Sequence, residues 1–228
     1  MLTIEIKGLE EVKKSLGNMA RQLPYATAIA LNKTAKAVQK ELTAEMSRTF
    51  DRPTPFIKKS LYIRPASKQN LIAEVGVKDE ATKILVHQIY GGQRVMKRSE
   101  KWLRHYWTLG AGARLNQYGN ISPGQITQIL SVTKTHPDPY SWTTKRSRKR
   151  NKKLPGYFII RKGLTKRGLH PGVWQRVGKK SVKPVLIFGR EPHYRPRYKF
   201  FEVAIHTVRK EWNGLFNEAL ANALRTAR

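Results

Sequence analysis

The fold of this chain is organised around one stretch, residues 23–56, which reads LPYATAIALNKTAKAVQKELTAEMSRTFDRPTPF. Apolar residues recur in it at steps of three and four, which places them on one stripe of a helix. The stripe consists of Ala28, Leu31, Ala35, Val38 and Leu42. Pro24 suits the first helical turn, and Pro53 and Pro55 end the helix. At about 25 residues the helix is about 37 Å long, which is enough to support a sheet.

A second long helix and several short strands complete the predicted fold. Residues 198–225 carry their apolar side chains largely on one side, as an amphipathic helix does. Short apolar or alternating segments between glycines, prolines and polar turns predict strands. These segments are residues 2–7, 61–66, 71–78, 157–161, 173–177 and 184–188. The sequence therefore predicts an α+β fold, in which an antiparallel sheet of about five or six strands packs against long N-terminal and C-terminal helices.

A short amphipathic helix is predicted before the long one, because Leu9, Val12, Leu16 and Met19 recur at helical spacing, and it ends near residues 17–21. Three further short helices are predicted at residues 81–90, 95–109 and 124–131. The one at residues 95–109 is basic and aromatic, and a helix would place Trp102, Tyr106 and Leu109 on one face.

The predicted elements run along the whole chain, and one long stretch without a predicted element interrupts them. Residues 132–155 form its least structured part, because seven of the nine residues from 145 to 153 are Lys or Arg. Such a run resists compaction without a counter-charge. The sequence predicts a single domain over residues 1–228, with a flexible basic insertion at about 132–155.

The composition narrows the class of protein. A chain of 228 residues is long enough for one large domain or two small ones, and a domain of this size buries about 70% of its unfolded surface. It has no cysteine, which excludes disulfides and thiolate–metal sites. No apolar run approaches the ~18 residues of a membrane span, so no membrane contact of that kind is expected. The first residues alternate like a strand and are not predicted as a signal peptide.

Charge is the strongest compositional signal. The chain has 45 basic and 15 acidic residues, a formal net charge of +30. Such a chain repels itself and attracts polyanions. Nucleic acid is the first candidate partner, an anionic membrane the second, and an acidic protein in a larger assembly the third.

Catalysis is poorly supported by the sequence. The six histidines are scattered, and no serine or glycine-rich loop lies in a catalytic or phosphate-binding motif. The adjacent acid pairs Glu10–Glu11 and Asp79–Glu80 lie at predicted helix starts, where acids favour the helix dipole. We therefore expect a protein that is not an enzyme and that uses no cofactor and no metal.

The cations of residues 145–153 are one candidate nucleic-acid contact. A flexible cationic segment neutralises phosphates without sequence preference, because nothing fixes its geometry. A solvated loop, or a loop ordered against an acidic neighbouring subunit, accounts for the same residues, and these interpretations stay open. The candidate DNA-contact residues of this run are Lys145, Arg146, Arg148, Lys149, Arg150, Lys152 and Lys153.

The predicted helix at residues 95–109 is the second candidate, because it mixes aromatic side chains with cations. Its aromatic residues are Trp102, His105, Tyr106 and Trp107. Together with the cations they would form a platform on which bases stack. A core helix with a basic outer face explains the same pattern and is the favoured interpretation. The candidate DNA-contact residues here are Arg94, Lys97, Arg98, Lys101 and Arg104.

Several short motifs, in their order along the chain, resemble those of a known family. They are Ile6-Lys7-Gly8-Leu9, residues 50–56, Gly91-Gly92-Gln93-Arg94, residues 118–126 and 129–131, Gly172-Val173-Trp174-Gln175-Arg176, residues 184–188 and Tyr194-Arg195-Pro196-Arg197. Together they are similar to the minor tail and tail completion proteins of long-tailed bacteriophages and prophages, the group typified by minor tail protein Z of phage lambda. The resemblance covers most of the chain, without the insertion at residues 132–155, and none of its motifs is catalytic.

The resemblance implies a structural virion protein at the neck, where a finished tail meets the DNA-filled head. Such proteins form rings, so it implies a homo-oligomer, a hexameric ring that matches the symmetry of the tail. The implied partners are neighbouring neck and tail proteins, including the tail terminator and the head–tail connector, and packaged double-stranded DNA. The implied location is the virion, after synthesis in the cytoplasm of the host bacterium.

Two other functions compete with this interpretation. A monomeric protein that binds nucleic acid without sequence preference would show DNA affinity that falls steeply with salt, and no ring. A metal-dependent nuclease would cleave DNA in the presence of magnesium.

Overall fold

The computed structural model describes residues 1–5, 22–150, 156–161, 163, 168–178 and 180–226. These residues form seven α-helices, one short 3-10 helix and nine strands, so the α+β prediction is confirmed. The chain divides into two compact units. Unit 1 is Met1–Gly91 with Arg195–Arg228, and unit 2 is Gly92–Tyr194.

Helix α1, Leu23–Thr49, is the central helix of unit 1. All five residues of the predicted apolar stripe, from Ala28 to Leu42, are buried. Pro24 lies in the first turn, and Phe50 leaves the helix in an extended conformation. The prediction of a long amphipathic helix that ends before the proline pair is therefore confirmed. The short helix predicted from Leu9 lies outside the described residues.

The sheet of unit 1 contains three antiparallel strands. They are β1 (Leu2–Glu5), β2 (Leu61–Arg64) and β3 (Ile72–Val77), in the order β1-β3-β2. The predicted hairpin of β2 and β3 is confirmed, and the Ser67 amide closes its turn by donating to the Asn70 carbonyl at 2.8 Å. Ala73 and Val75 of β3 are buried in one core with the α1 stripe.

The remaining helices of unit 1 are α2 (Pro55–Lys58), α3 (Asp79–Ile89) and α7 (Phe200–Arg225). The predicted C-terminal helix is thereby confirmed as α7. It packs along α1 through small residues, because Ala26 and Ala30 of α1 are buried in one cluster with Ala219 and Ala223 of α7. The distance between two packed helices depends on the side chains at their contact, so alanines allow a close approach.

Unit 2 is built on an antiparallel sheet of four strands. They are β5 (Tyr106–Leu109), β6 (Gly156–Ile160), β7 (Gly172–Arg176) and β8 (Val182–Gly189), in the order β5-β8-β7-β6. The predicted antiparallel meander of the last three strands is confirmed. Two further short strands, β4 (Gly92–Gln93) and β9 (His193–Tyr194), pair where the chain enters and leaves the unit.

The helices of unit 2 are α4 (Arg98–Leu103), α5 (Pro123–Val132) and α6 (Lys145–Arg150). The predicted short helix before residue 132 is confirmed as α5. Its buried residues Ile129 and Leu130 form the core of the unit with Val185 and Leu186 of β8. Buried Gln125 ties the preceding loop to α5, since its side chain accepts from the Arg114 amide at 2.6 Å.

The strands do not form the single sheet of five or six strands that the sequence predicted. The described strands instead divide into three antiparallel sheets of three, two and four strands. The first hairpin pairs with the N-terminal strand β1, whereas the later strands pair among themselves. Local patterns identify strands and hairpins, but they contain no signal for which distant hairpins share a sheet.

The predicted helix at residues 95–109 is wrong in its second half. Helix α4 ends at Leu103, because Arg104 adopts a left-handed φ of 60° and the His105 amide donates to the Glu100 carbonyl at 3.1 Å. Residues Tyr106–Leu109 form β5 and pair with β8. The aromatic spacing suits a helix, but pairing with a neighbouring strand overrides that local preference.

The first part of the predicted insertion is hydrogen-bonded to α5. The Thr143 amide donates to the Ser131 carbonyl of α5 at 3.1 Å. Within the insertion itself, the indole N–H of Trp142 donates to the His136 carbonyl at 2.7 Å. The cations that follow form α6. The flexibility of the insertion and the single domain over the whole chain stay predictions, and residues 151–155 lie outside the described part of the chain.

We expect Ala30→Leu to destabilise unit 1 by about 1–3 kcal/mol, because a larger side chain overpacks the alanine contact of α1 and α7. Urea unfolding followed by far-ultraviolet circular dichroism measures the change. Lys36→Leu, at an exposed position on the same helix, is the matched control and should change stability by less than about 0.5 kcal/mol. Equal effects of the two variants would contradict the proposed packing.

Candidate nucleic-acid interface

The positive charge is concentrated in unit 2. Residues 92–194 contain 23 Lys and Arg against three Asp and Glu, a net charge of +20 out of +30 for the chain. Each of the three acids already accepts a hydrogen bond within the unit. Asp138 accepts from the Tyr140 amide at 3.0 Å, and Glu191 accepts from the Tyr106 hydroxyl at 2.9 Å. Glu100 is the third, and it belongs to the ion pair described next.

Arg94 and Glu100 form a bidentate ion pair in which the carboxylate is fully buried. Both terminal nitrogens of Arg94 donate to Glu100, each at 2.6 Å, and the Arg94 side chain is 13% exposed. Glu100 also accepts from the Lys97 amide at 2.7 Å and so caps the start of α4. Among the described residues of unit 2 this is the one ion pair, so the other described cations are neutralised by no internal carboxylate.

The environment of Glu100 keeps it ionised. Burial raises the pKa of its carboxyl, but the hydrogen bonds from Arg94 and from the Lys97 amide together outweigh burial and hold the pKa below its ordinary value. The same pair raises the pKa of Arg94. Arg94 is therefore a structural cation whose charge is balanced in place.

A cleft of about 930 Å³ lies beside this pair, and we call it the aromatic–basic cleft. Residues of β5, α4 and α5 line it, together with the chain that follows β8. Its cations are Arg94, Lys97, Arg98 and Arg190, and its rings belong to Trp102, Tyr106, Trp107, His136 and Tyr194. The lining contains no Asp and no Glu among the described residues, so the cleft attracts anionic groups.

The cations of the cleft lie over its aromatic rings. The Arg98 guanidinium is 4.8 Å from the centre of the Trp102 ring, and the Lys97 ammonium is 5.5 Å from that of Trp107. Both indoles also pack against the core of unit 2. These rings are half-buried, and cations of the same unit lie over their faces. This arrangement favours the interpretation as a core element with a basic outer face over that of a platform whose ring faces are free to stack with bases.

The structure divides the predicted DNA-contact residues into groups. Arg94, Lys97 and Arg98 line the aromatic–basic cleft, whereas Lys101 and Arg104 are exposed outside it. All five cations of α6 are exposed and do not line the cleft; they are Lys145, Arg146, Arg148, Lys149 and Arg150. Lys152 and Lys153 lie outside the described residues. A contact of any of these residues with DNA stays a prediction.

Among the cations and rings of the cleft, sequence reasoning missed His136, Arg190 and Tyr194, and the last two come from a distant part of the chain. Arg190 follows β8 and Tyr194 lies in β9, about a hundred residues after Arg94. The pairing of β5 with β8 and of β4 with β9 brings them to the cleft, and the Tyr194 hydroxyl accepts from Arg94 Nε at 3.2 Å. No local motif identifies them, because only the strand register places them there.

Helix α6 concentrates five cations in six residues. Its length is only about 9 Å, so the charges are closely spaced. Lys145 lies three and four residues before Arg148 and Lys149, a spacing at which like charges repel on a helix surface. The Thr144 hydroxyl accepts from the Ser147 amide at 3.1 Å and caps the first turn. A helix of this kind is stabilised when an anionic surface lies against it.

Other kinds of site have little support among the described residues. No group of three His, Asp or Glu side chains there could hold a metal ion. His105 stacks on Phe188 at 4.4 Å and His136 packs on Trp102 at 4.9 Å, so these two histidines take part in ring packing. None of the described helices is both long and apolar enough to cross a membrane.

Comparison with known proteins gives one family. The family model described as prophage minor tail protein Z (GPZ) matches residues 6–118. The match includes α1 and the hairpin of unit 1, and it continues through α4 and β5 of unit 2. No curated protein and no solved structure matches the chain.

We expect Glu100→Gln to destabilise unit 2 by about 3–5 kcal/mol at neutral pH, because it leaves Arg94 partly buried without its partner. Since the pKa of Glu100 is lower in the folded protein than in the unfolded chain, its stabilising effect is complete above the ordinary carboxyl pKa of about 4.3. That effect declines as the pH falls through the lower folded-state pKa. Urea unfolding at several pH values measures both the loss of stability in Glu100→Gln and its dependence on pH. Tryptophan fluorescence follows the unfolding of unit 2, because four of the five tryptophans lie there.

The control for this variant is Glu218→Gln, which breaks the exposed pair of Lys33 and Glu218 in unit 1. Its cost should stay below about 1 kcal/mol. A loss of stability in Glu100→Gln no larger than in this control would show that the buried pair does not hold α4 in place.

Proposed function

We propose that this chain, which belongs through residues 6–118 to the prophage minor tail protein Z family, is a tail completion or head–tail joining protein. A match to this family indicates a structural protein of the phage tail, and hence a component of the virion. The finer proposal is that copies of the chain assemble as a ring at the neck, where the tail joins the DNA-filled head. The observation that carries it is the +20 charge of unit 2, which has one internal ion pair among the described residues.

The size of this charge supports both DNA and protein as partners. Six copies at +30 each would carry a formal charge of about +180, whereas a ring about 40 Å tall would enclose only about 24 phosphates of duplex DNA. DNA in the lumen therefore balances a small part of the charge. The rest faces solvent or acidic neighbours, and we propose the tail terminator and the head–tail connector as such neighbours.

Helix α6 is the surface that we assign to DNA or to an adjacent ring. Its cations are exposed, and among the described residues none of them has a carboxylate partner. Six identical helices around a ring would present a continuous positive belt without sequence preference, as contact with any packaged genome requires. On this proposal the protein acts by assembly and not by catalysis.

A monomeric protein that binds nucleic acid without sequence preference is the second candidate function. The same exposed helix favours it, because a short cationic helix binds phosphates whether or not its chain forms a ring. The two candidates differ in the mass of the assembled protein and in its presence in purified virions.

The test replaces the five cations of α6 by glutamine, which keeps a good helix former at each position. We expect the variant to fold, to bind duplex DNA more weakly, and to yield fewer infectious particles when it replaces the natural protein during phage assembly. The slope of log affinity against log salt should become shallower by about 0.9 for each phosphate that the variant no longer neutralises. Titration of labelled DNA at several salt concentrations and plaque counts measure the two effects.

The matched control removes the same charge from exposed positions of unit 1. It replaces Lys36, Lys40, Lys58, Lys59 and Lys78 by glutamine. We expect this control to keep infectivity and most of the salt dependence. Equal losses of DNA affinity and infectivity in both variants would show that only the net charge of the chain matters. Unchanged infectivity of the α6 variant would count against the contact assigned to α6.

A further inference from the structure

Strand β5 is an edge of the sheet of unit 2. It pairs with β8 on one side, and in the described sheet no strand pairs with its other side. All four residues of β5 line the aromatic–basic cleft, so the free edge and the cleft are one surface. An exposed edge strand is a template on which another extended chain can pair.

The register shows which backbone groups face this free edge. The Gly110 amide donates to the Val185 carbonyl at 2.9 Å, so this pair of residues is hydrogen-bonded across β5 and β8. Bonded and non-bonded pairs alternate in an antiparallel ladder. Thr108 and Tyr106 therefore bond towards β8, and the N–H and C=O groups of Trp107 and Leu109 point away from β8, towards the unpaired edge.

The side chains at this edge are apolar and cationic. Leu109 is 40% exposed, although it is a large apolar residue in a strand. Since Arg94 is balanced by Glu100, the cations of the cleft that have no carboxylate partner among the described residues are Lys97, Arg98 and Arg190. A matching occupant is an extended chain that carries both carboxylates and apolar side chains.

We propose that the aromatic–basic cleft binds an extended acidic peptide segment of a partner protein, which adds to the sheet as a strand beside β5. The backbone of the segment satisfies the N–H and C=O groups of Trp107 and Leu109. Its carboxylates face Lys97, Arg98 and Arg190, and its apolar side chains cover Leu109. This surface is separate from α6, and the proposal does not depend on a role at the neck.

A peptide fits this surface better than a nucleic acid for two reasons. The sugar–phosphate backbone of DNA offers hydrogen-bond acceptors without the amide donors of a peptide, so it would leave the carbonyl groups of the β5 edge without partners. The major groove of a duplex alone is about 12 Å wide, so a duplex is too wide to follow a four-residue strand into a cleft of about 930 Å³.

The experiment measures binding of the full chain to fluorescein-labelled peptides by fluorescence anisotropy. The probe is an alternating glutamate–valine peptide of about eight residues, which suits an added strand. We expect it to bind at least about tenfold more tightly than the glutamine–valine peptide of equal length and than an oligothymidylate of equal charge.

Backbone methylation of the peptide tests strand addition without changing the protein. In a strand the amides of alternate residues face opposite edges, so the glutamate amides lie on one edge and the valine amides on the other. Methylating the amides of one set should weaken binding at least about tenfold, whereas methylating the other set should leave it unchanged.

Two matched variants test the position of the site. The double variant Lys97→Gln, Arg190→Gln removes two cations from the cleft, and Lys134→Gln, Lys180→Gln removes two exposed cations of unit 2 outside it. We expect the first to weaken binding of the glutamate–valine peptide at least about tenfold and the second by less than about threefold.

Three results would each overturn the proposal. The first is no measurable binding of the glutamate–valine peptide, and the second is equal binding of the two methylated peptides. The third is a preference for the oligothymidylate together with equal effects of the two double variants, which would make the cleft part of a general polyanion surface.

Discussion

The strongest physical constraint on this protein is a positive charge in unit 2 that the carboxylates of the unit do not balance. Unit 2 holds 23 cations against three acids, and each of these acids accepts a hydrogen bond within the unit. The core of the unit is apolar, since Ile129, Leu130, Val185 and Leu186 are buried in it, whereas the described cations other than Arg94 are exposed. The unit can therefore fold around an ordinary core, but it remains strongly attracted to anionic surfaces.

The buried pair of Arg94 and Glu100 connects this charge to the geometry of the cleft. Glu100 caps the start of α4, and Arg94 also contacts Tyr194 of β9, so one ion pair joins a helix start to the strand pair that closes the unit. Trp102 lies on α4, the helix that Glu100 caps, and Tyr106 lies on β5, the strand that follows α4. The positions of the cleft residues thus depend on a pair whose own charges cancel.

Much of the fold could be predicted from the sequence, because its signals are local. The apolar stripe of α1, the proline pair after it and the turn at Ser67 each act within a few residues, and the structure contains all three. The division into three sheets could not be predicted, since strand partners are chosen over long distances along the chain. The switch from α4 to β5 was missed for the same reason, because pairing with β8 decides it.

The candidate site was predictable only in part. The cations of α6 and the aromatic residues near α4 are dense local patterns, whereas Arg190 and Tyr194 reach the cleft through strand register. Imaging of assembled particles by electron cryomicroscopy tests the central claim most directly. The account predicts a ring of this chain at the head–tail junction, with unit 2 against DNA or carboxylate-rich neighbours. Particles without the chain, or a position in the virion where unit 2 faces only solvent, would contradict it.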